Sequence, residues 1–182
     1  MTDNQSESLA KFRELFNKFD NAMLVSSDER GQPHGRPMRV AAHNQDTIDD
    51  LWFVTSRDAG KIEEIREEPR VAVIMADDKR FLSVSGHATV VIDRAKIDAM
   101  WTDAWKIWFP DGPASEDIAL IQVRPIRGEY WDQSFPNGAR FAFEALKARL
   151  KDQPIDIPDE PEQHAKVNLA ARARPTRRAR LT

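Results

Sequence analysis

The feature that most constrains this chain is a succession of short apolar runs joined by polar turns only a few residues long. Ala22–Ser26, Gly35–His43 and Leu51–Thr55 have strand length and composition, and the polar stretches Ser27–Gly31 and Asn44–Thr47 separate them. Connections this short leave no room for crossover helices, so an antiparallel meander is expected rather than βαβ units. Val71–Met75 and Phe81–Ile92 repeat the pattern across a turn at Ala76–Lys79, and Ile118–Val123 and Arg127–Trp131 add two further strands. Gly86 interrupts the longest run, which predicts a bulge or a close backbone approach. The expected fold is mainly β: a six- to seven-stranded antiparallel barrel with short helices against its openings.

Helical spacing fills the intervals. Leu9, Phe12, Leu15, Phe16 and Phe19 recur at three- and four-residue steps, with Ser6 or Ser8 as cap. A short helix starting near Ser56 or Asp58 carries Lys61, Ile62 and Ile65 and must end before Pro69. Ile97, Met100, Trp101, Ala104, Trp105 and Trp108 form one stripe, with Asp93 as cap and Pro110-Asp111-Gly112-Pro113 as the stop. That spacing reads as core or dimer contact before it reads as a stacking or haem site. A last helix is expected over Arg140–Leu150, which closes a single domain at residues 1–150. In 151–182, Pro154, Pro158 and Pro161 lie among acids and leave little to bury. The segment reads as a loosely attached, partly disordered tail with an Arg-rich end, and removal of everything after Val167 is expected to cost little stability.

Several function classes drop out. The chain holds 27 Lys+Arg against 30 Asp+Glu, a net charge of −3, so no global field argues for nucleic acid or an anionic membrane. Met1–Lys11 lacks an apolar signal region and no apolar run reaches spanning length, which predicts a cytoplasmic protein. With no cysteine, disulfides, thiolate metal sites and cysteine nucleophiles are excluded. His34, His43, His87 and His164 show no metal-ligand spacing, and no glycine-rich phosphate loop or nucleophile elbow is present. The pairs Glu63-Glu64 and Asp77-Asp78 read as solvated charge.

Two cations stand out. Arg36 opens the second strand, and Lys61 lies in the first turn of the helix that follows Thr55-Ser56. A planar guanidinium fork, an ammonium, two hydroxyls and the N–H groups of a helix start would suit a phosphate, although surface charge is the more ordinary reading of the residues alone.

A wider pattern carries more. Arg36-Pro37-Met38-Arg39-Val40, Leu51-Trp52-Phe53-Val54-Thr55, Lys61, Ser83-Val84-Ser85-Gly86 and Glu129-Tyr130-Trp131-Asp132 occur in that order. The set resembles the pyridoxamine 5'-phosphate oxidase-like family of FMN-binding split barrels. Trp108-Phe109-Pro110-Asp111-Gly112 with Asp117-Ile118 resembles its general stress protein 26 branch. The resemblance implies a homodimeric split β-barrel with FMN, or FAD, at the subunit interface. Arg36 and Lys61 would hold the phosphate with Thr55 and Ser56, Arg36 the more strongly because its fork makes two bonds. The backbone of Pro37, Met38 and Arg39 would face the flavin ring, main-chain groups of Phe53 and Val54 its polar edge, and Trp131 would approach from the partner subunit. The basic, His-containing motif expected after Trp131 in true pyridoxamine-phosphate oxidases is replaced by Gln133-Ser134-Phe135-Pro136-Asn137-Gly138. The implied activity is flavin-dependent oxidoreduction of some other small molecule; a non-catalytic flavin carrier or sensor, or an interaction module, is the alternative.

Overall fold

The computed structural model describes residues 2–42, 50–134 and 163–170. Helix α1 (Thr2–Phe16) leads into β1 (Asn21–Ser27), β2 (Pro33–Ala42) and β3 (Leu51–Ser56), and α2 (Lys61–Glu67) follows. Then come β4 (Arg70–Ala76), β5 (Arg80–Val91), α3 (Arg94–Met100), two short 3-10 turns (Asp103–Ile107 and Gly112–Ala114), β6 (Ile118–Asp132) and β7 (His164–Asn168). All strand pairings are antiparallel, in the order β3-β2-β1-β4-β5-β6-β7, and β6 also pairs with β3 from Leu51↔Val123 to Ser56↔Ile118. That return contact closes six strands into a barrel, and β7 extends the sheet along the rest of β6. Among the described residues no helix is long and apolar enough to cross a membrane.

Alternation sends Leu24, Phe53, Val73, Val84, Ile121 and Tyr130 into the barrel, where Phe12, Leu15 and Phe16 of α1 join them. The helix starts earlier than its serines suggest: Ser8 lies inside it, buried, with its hydroxyl donating to the Asn4 carbonyl at 2.8 Å. Ile118-Ala119-Leu120-Ile121 is buried on both faces, because α3 and the first 3-10 turn pack a second cluster on the barrel's outside. Asp93 caps α3 as expected, accepting from the Lys96 N–H at 3.1 Å.

Three elements depart from the sequence reading. The tryptophan helix stops at Trp101, whose ψ of 136° leaves helical space, and Thr102-Asp103 starts a tighter 3-10 turn. Residues such as Thr and Asp compete with helix backbone bonding, which favours a restart here. Trp105 turns inward and Trp108 does not. The two strands expected at the end are one, β6, continuous through an irregularity at Pro125-Ile126, where Ser85 pairs with Arg127 and Gly86 with Pro125. The bulge lies on β6, and Gly86 supplies the close approach opposite it. Finally, residues 164–168, assigned by composition to a loose tail, form β7, and Ala165, Val167 and Leu169 are buried with the barrel core. Val167→Ala is therefore expected to cost roughly 1–2 kcal/mol, lowering Tm by about 3–6 °C in a calorimetric scan. An unchanged Tm would mean that β7 adds no packing. The expected helix at Arg140–Leu150, the turn Asn44–Thr47 and the Arg-rich end lie outside the described residues.

The end of β6 is tied to α1 by an ion pair, Lys11 Nζ to the buried Asp132 carboxylate at 3.0 Å. Burial pushes the Asp132 carboxyl up, but the Ser134 hydroxyl and N–H and Lys11 outweigh it and hold Asp132 below its usual range. A carboxyl depressed in the folded state stabilises the fold above its unfolded value and loses that contribution as pH falls through the folded one. Tm is expected to fall below about pH 4, and Asp132→Asn to flatten that limb while lowering Tm at pH 7. Parallel acid limbs for the two proteins would contradict the assignment.

Candidate functional site

The barrel splits between β2 and β3. Among the described residues their ladder holds only Val40↔Phe53 and Ala42↔Trp52, with a register irregularity between them. The Val40 N–H turns toward β1, donating to the Asp20 carbonyl at 2.9 Å. Because hydrogen-bonding edges alternate along a strand, the nitrogen of Pro37 faces β3, where it has no hydrogen to give. The strands part at this point, and a cavity of about 350 Å³ occupies the gap. Pro37, Met38 and Arg39 of β2 line it, with Val54, Thr55 and Ser56 of β3, Lys61 of α2, and Trp108, Phe109 and Asp117 from the α3–β6 connection.

The cavity thus gathers seven residues singled out from the sequence: Pro37, Met38, Arg39, Val54, Thr55, Ser56 and Lys61. Phe53 contributes no side chain, being fully buried in the core. Lys61 Nζ donates to Thr55 Oγ1 at 3.0 Å. Burial pushes its ammonium below the ordinary lysine value, and the positive charge of Arg36 pushes it further, against a smaller pull from Glu64. Among the described residues no carboxylate lies within ion-pair distance of Lys61, so the ammonium sits in a place where an anion would relieve it.

Arg36 stands behind this wall rather than on it. Its Nη1 donates to Ser26 Oγ at 2.8 Å and its Nη2 pairs with Glu64, which also accepts from the Ser26 hydroxyl at 2.6 Å. Burial raises the Glu64 carboxyl, but the Ser26 bond and Arg36 outweigh it and keep Glu64 below its usual range. Glu64 is therefore an internal ion-pair partner, not the solvated helix-face charge that Glu63-Glu64 suggested. No local pattern announced this, because Arg36 lies 28 residues away on β2. Ser56 also differs from expectation: its hydroxyl donates to Asp117 at 2.7 Å and accepts from the Asp58 N–H at 3.2 Å.

Trp131 is not brought to the cavity within one chain. It lies at the far end of β6, opposite Phe81, with its ring stacked on His164 at 5.2 Å between centroids. A second, more polar cavity of about 480 Å³ lies beside β7 and is lined by Gln5, Ser83, Ser85 and Arg127 among others; it contains none of the expected site residues. Sequence reasoning gave no site role to Trp108, Phe109 or Asp117. What the split cavity can do is hold an anionic group near Lys61 and a flat apolar body against Pro37, Val54 and Trp108.

The comparisons agree with this architecture. A family model described as pyridoxamine 5'-phosphate oxidase like matches residues 7–156. Protein bli-3 of Neurospora crassa is 27% identical over 139 residues, 70% of this chain, and the chain spans 65% of that protein's length. General stress protein 26 of Bacillus subtilis is 26% identical over 106 residues, 56% of this chain and 72% of its own. Among solved structures, the general stress FMN/FAD binding protein of Xanthomonas citri is 25% identical with a TM-score of 0.61, over 71% of this chain and 92% of that one. A Clostridium acetobutylicum protein related to general stress protein 26 shares the fold at 22% identity and a TM-score of 0.62, over 70% of this chain and 89% of its own. With its six-stranded closed barrel and its match over residues 7–156, the chain belongs to the pyridoxamine 5'-phosphate oxidase-like family, and relatives called general stress protein 26 are among the proteins it resembles.

Proposed function

We propose that the chain binds a phosphate-bearing flavin, FMN, in the cavity between β2 and β3. The observation that carries this reading is the Lys61 ammonium, half-buried, beside Arg36, and donating to a neutral hydroxyl. The residues fit the group: Lys61 and Thr55 suit a phosphate, Arg36 adds positive charge from behind, and Pro37, Met38 and Val54 offer an apolar strand surface to a ring. The Asp117 carboxylate is the one lining group that opposes an anion, and it is engaged by Ser56. Bound flavin would supply the redox chemistry, and the chain would supply binding, orientation and charge. The reading is of a flavin-dependent oxidoreductase acting on a small molecule.

The site is completed by a second copy. Trp131 is half-buried and distant from its own cavity, and Met23 and Ile74, a cross-strand pair on β1 and β4, leave apolar surface uncovered. Sedimentation monitored at flavin wavelengths tests both parts. FMN migrating with a dimer is the expected result; flavin on a monomer would contradict the shared site, and flavin that stays free would contradict the ligand. Turnover of NAD(P)H by the loaded dimer separates an enzyme from a carrier.

A further inference from the structure

Trp108 departs from the pattern of its neighbours in a way that needs a use. By spacing it belongs to the apolar stripe with Trp101 and Trp105, and those two do pack together, edge to face at 5.6 Å. Trp105 and Phe109 are buried in the outer cluster with Ile97, Ile118 and Leu120. Trp108, between them, is 55% exposed and lines the cavity.

This exposure is built on a braced segment. The N–H groups of Trp108 and Phe109 both bond the Trp105 carbonyl, at 3.0 and 2.9 Å. Phe109 anchors the next position in the cluster. Arg94 reaches over from α3 and binds the carbonyls of Pro113 and Ser115, fixing the stretch that returns to β6. The tight 3-10 pitch is what allows Trp105 and Phe109 inward while Trp108 is turned out, since a regular helix continuing from α3 would have kept Trp108 on the stripe. An indole held in this way presents a flat, rigid, apolar face at little entropic cost.

We propose that Trp108 is a ligand-contacting residue whose indole stacks on the ring system of the bound flavin, forming the wall of the cavity that the α3–β6 connection contributes. The inference rests on the flavin reading above. It assigns Trp108 to the ring and Lys61 to the phosphate, so the two positions make separable contributions.

The test titrates FMN and riboflavin into wild type, Trp108→Ala and Trp108→Phe. Stacking of a base on an aromatic side chain is lost on alanine substitution at a cost near a factor of ten in affinity. Trp108→Ala should weaken FMN and riboflavin alike by roughly tenfold, and Trp108→Phe should stay within about threefold of wild type, because a ring remains. Bound flavin should also fluoresce more strongly in Trp108→Ala, since a stacked indole quenches it by electron donation. The position is exposed, so both variants should keep the wild-type Tm. Unchanged affinity for both flavins would overturn the proposal, as would weakened FMN with unchanged riboflavin. A dimer that dissociates while its flavin affinity stays the same would assign Trp108 to the subunit contact instead and overturn it too. Wild type that binds neither flavin would remove the flavin reading first, and this inference with it.

Discussion

Lys61→Ala is expected to weaken FMN binding by about tenfold to a hundredfold while leaving riboflavin affinity nearly unchanged. Lys61 lies on the cavity wall and donates to Thr55. Its charge is disfavoured by burial and by Arg36, and a phosphate would restore it. A hydrogen bond to a charged group is worth about 1.5–3 kcal/mol, which sets the range. Arg36→Ala should cost FMN less, because the Arg36 guanidinium is already committed to Glu64 and Ser26. It should instead lower Tm, since Glu64 would be left partly buried without its counter-charge. The sequence alone ranks these two cations the other way, from the greater donor capacity of a guanidinium. Equal losses of FMN and riboflavin in Lys61→Ala would make that residue structural.

The second large effect concerns the close approach of Gly86 on β5 to β6. A Cβ built on Gly86 would lie 2.4 Å from the Arg124 carbonyl oxygen and 3.1 Å from the Val123 side chain. The obstacle is backbone, held on one side by β5 and on the other by β3 at Leu51↔Val123, so no rotamer change relieves it. Overpacking of this kind usually costs 1–3 kcal/mol, and with a carbonyl as the obstacle Gly86→Ala is expected at about 3 kcal/mol or more. In denaturant the midpoint should fall with little change in slope. A midpoint within error of wild type would show that β6 can slide at its bulge, and that the barrel is not pinned there.

What the sequence made legible is tied to period and punctuation. Alternation over Ala22–Ser26 and Leu51–Thr55, with turns at Ser27–Gly31 and Ala76–Lys79, was enough to anticipate the meander and its hairpins. It did not reveal β7, because His164–Asn168 is only five residues long and follows a Pro-rich stretch that reads as tail. Its register depends on a partner edge that β6 leaves free beyond the β3 contact, which no local pattern records. The last strand read as two, Ile118–Val123 and Arg127–Trp131, yet a strand accommodates a proline, here Pro125, at a bulge.

The site was legible to the same degree. Thr55, Ser56 and Lys61 meet because a strand end feeds a helix start, which is local. Trp108 and Asp117 join them through long-range packing of the α3–β6 connection, and nothing in their spacing announces it. Arg36 shows the opposite case: its strand position was readable, but its partner, Glu64, comes from a helix packed across the sheet.

The proposed flavin site stands on recognition of the phosphate by Lys61 and its neighbours. Parallel titrations of the wild-type protein with FMN and riboflavin, read by flavin fluorescence, test it most directly. FMN is expected to bind tighter by about tenfold or more, in line with one or more charge-assisted bonds to the phosphate. Equal affinity for the two ligands, or tighter riboflavin, would contradict it.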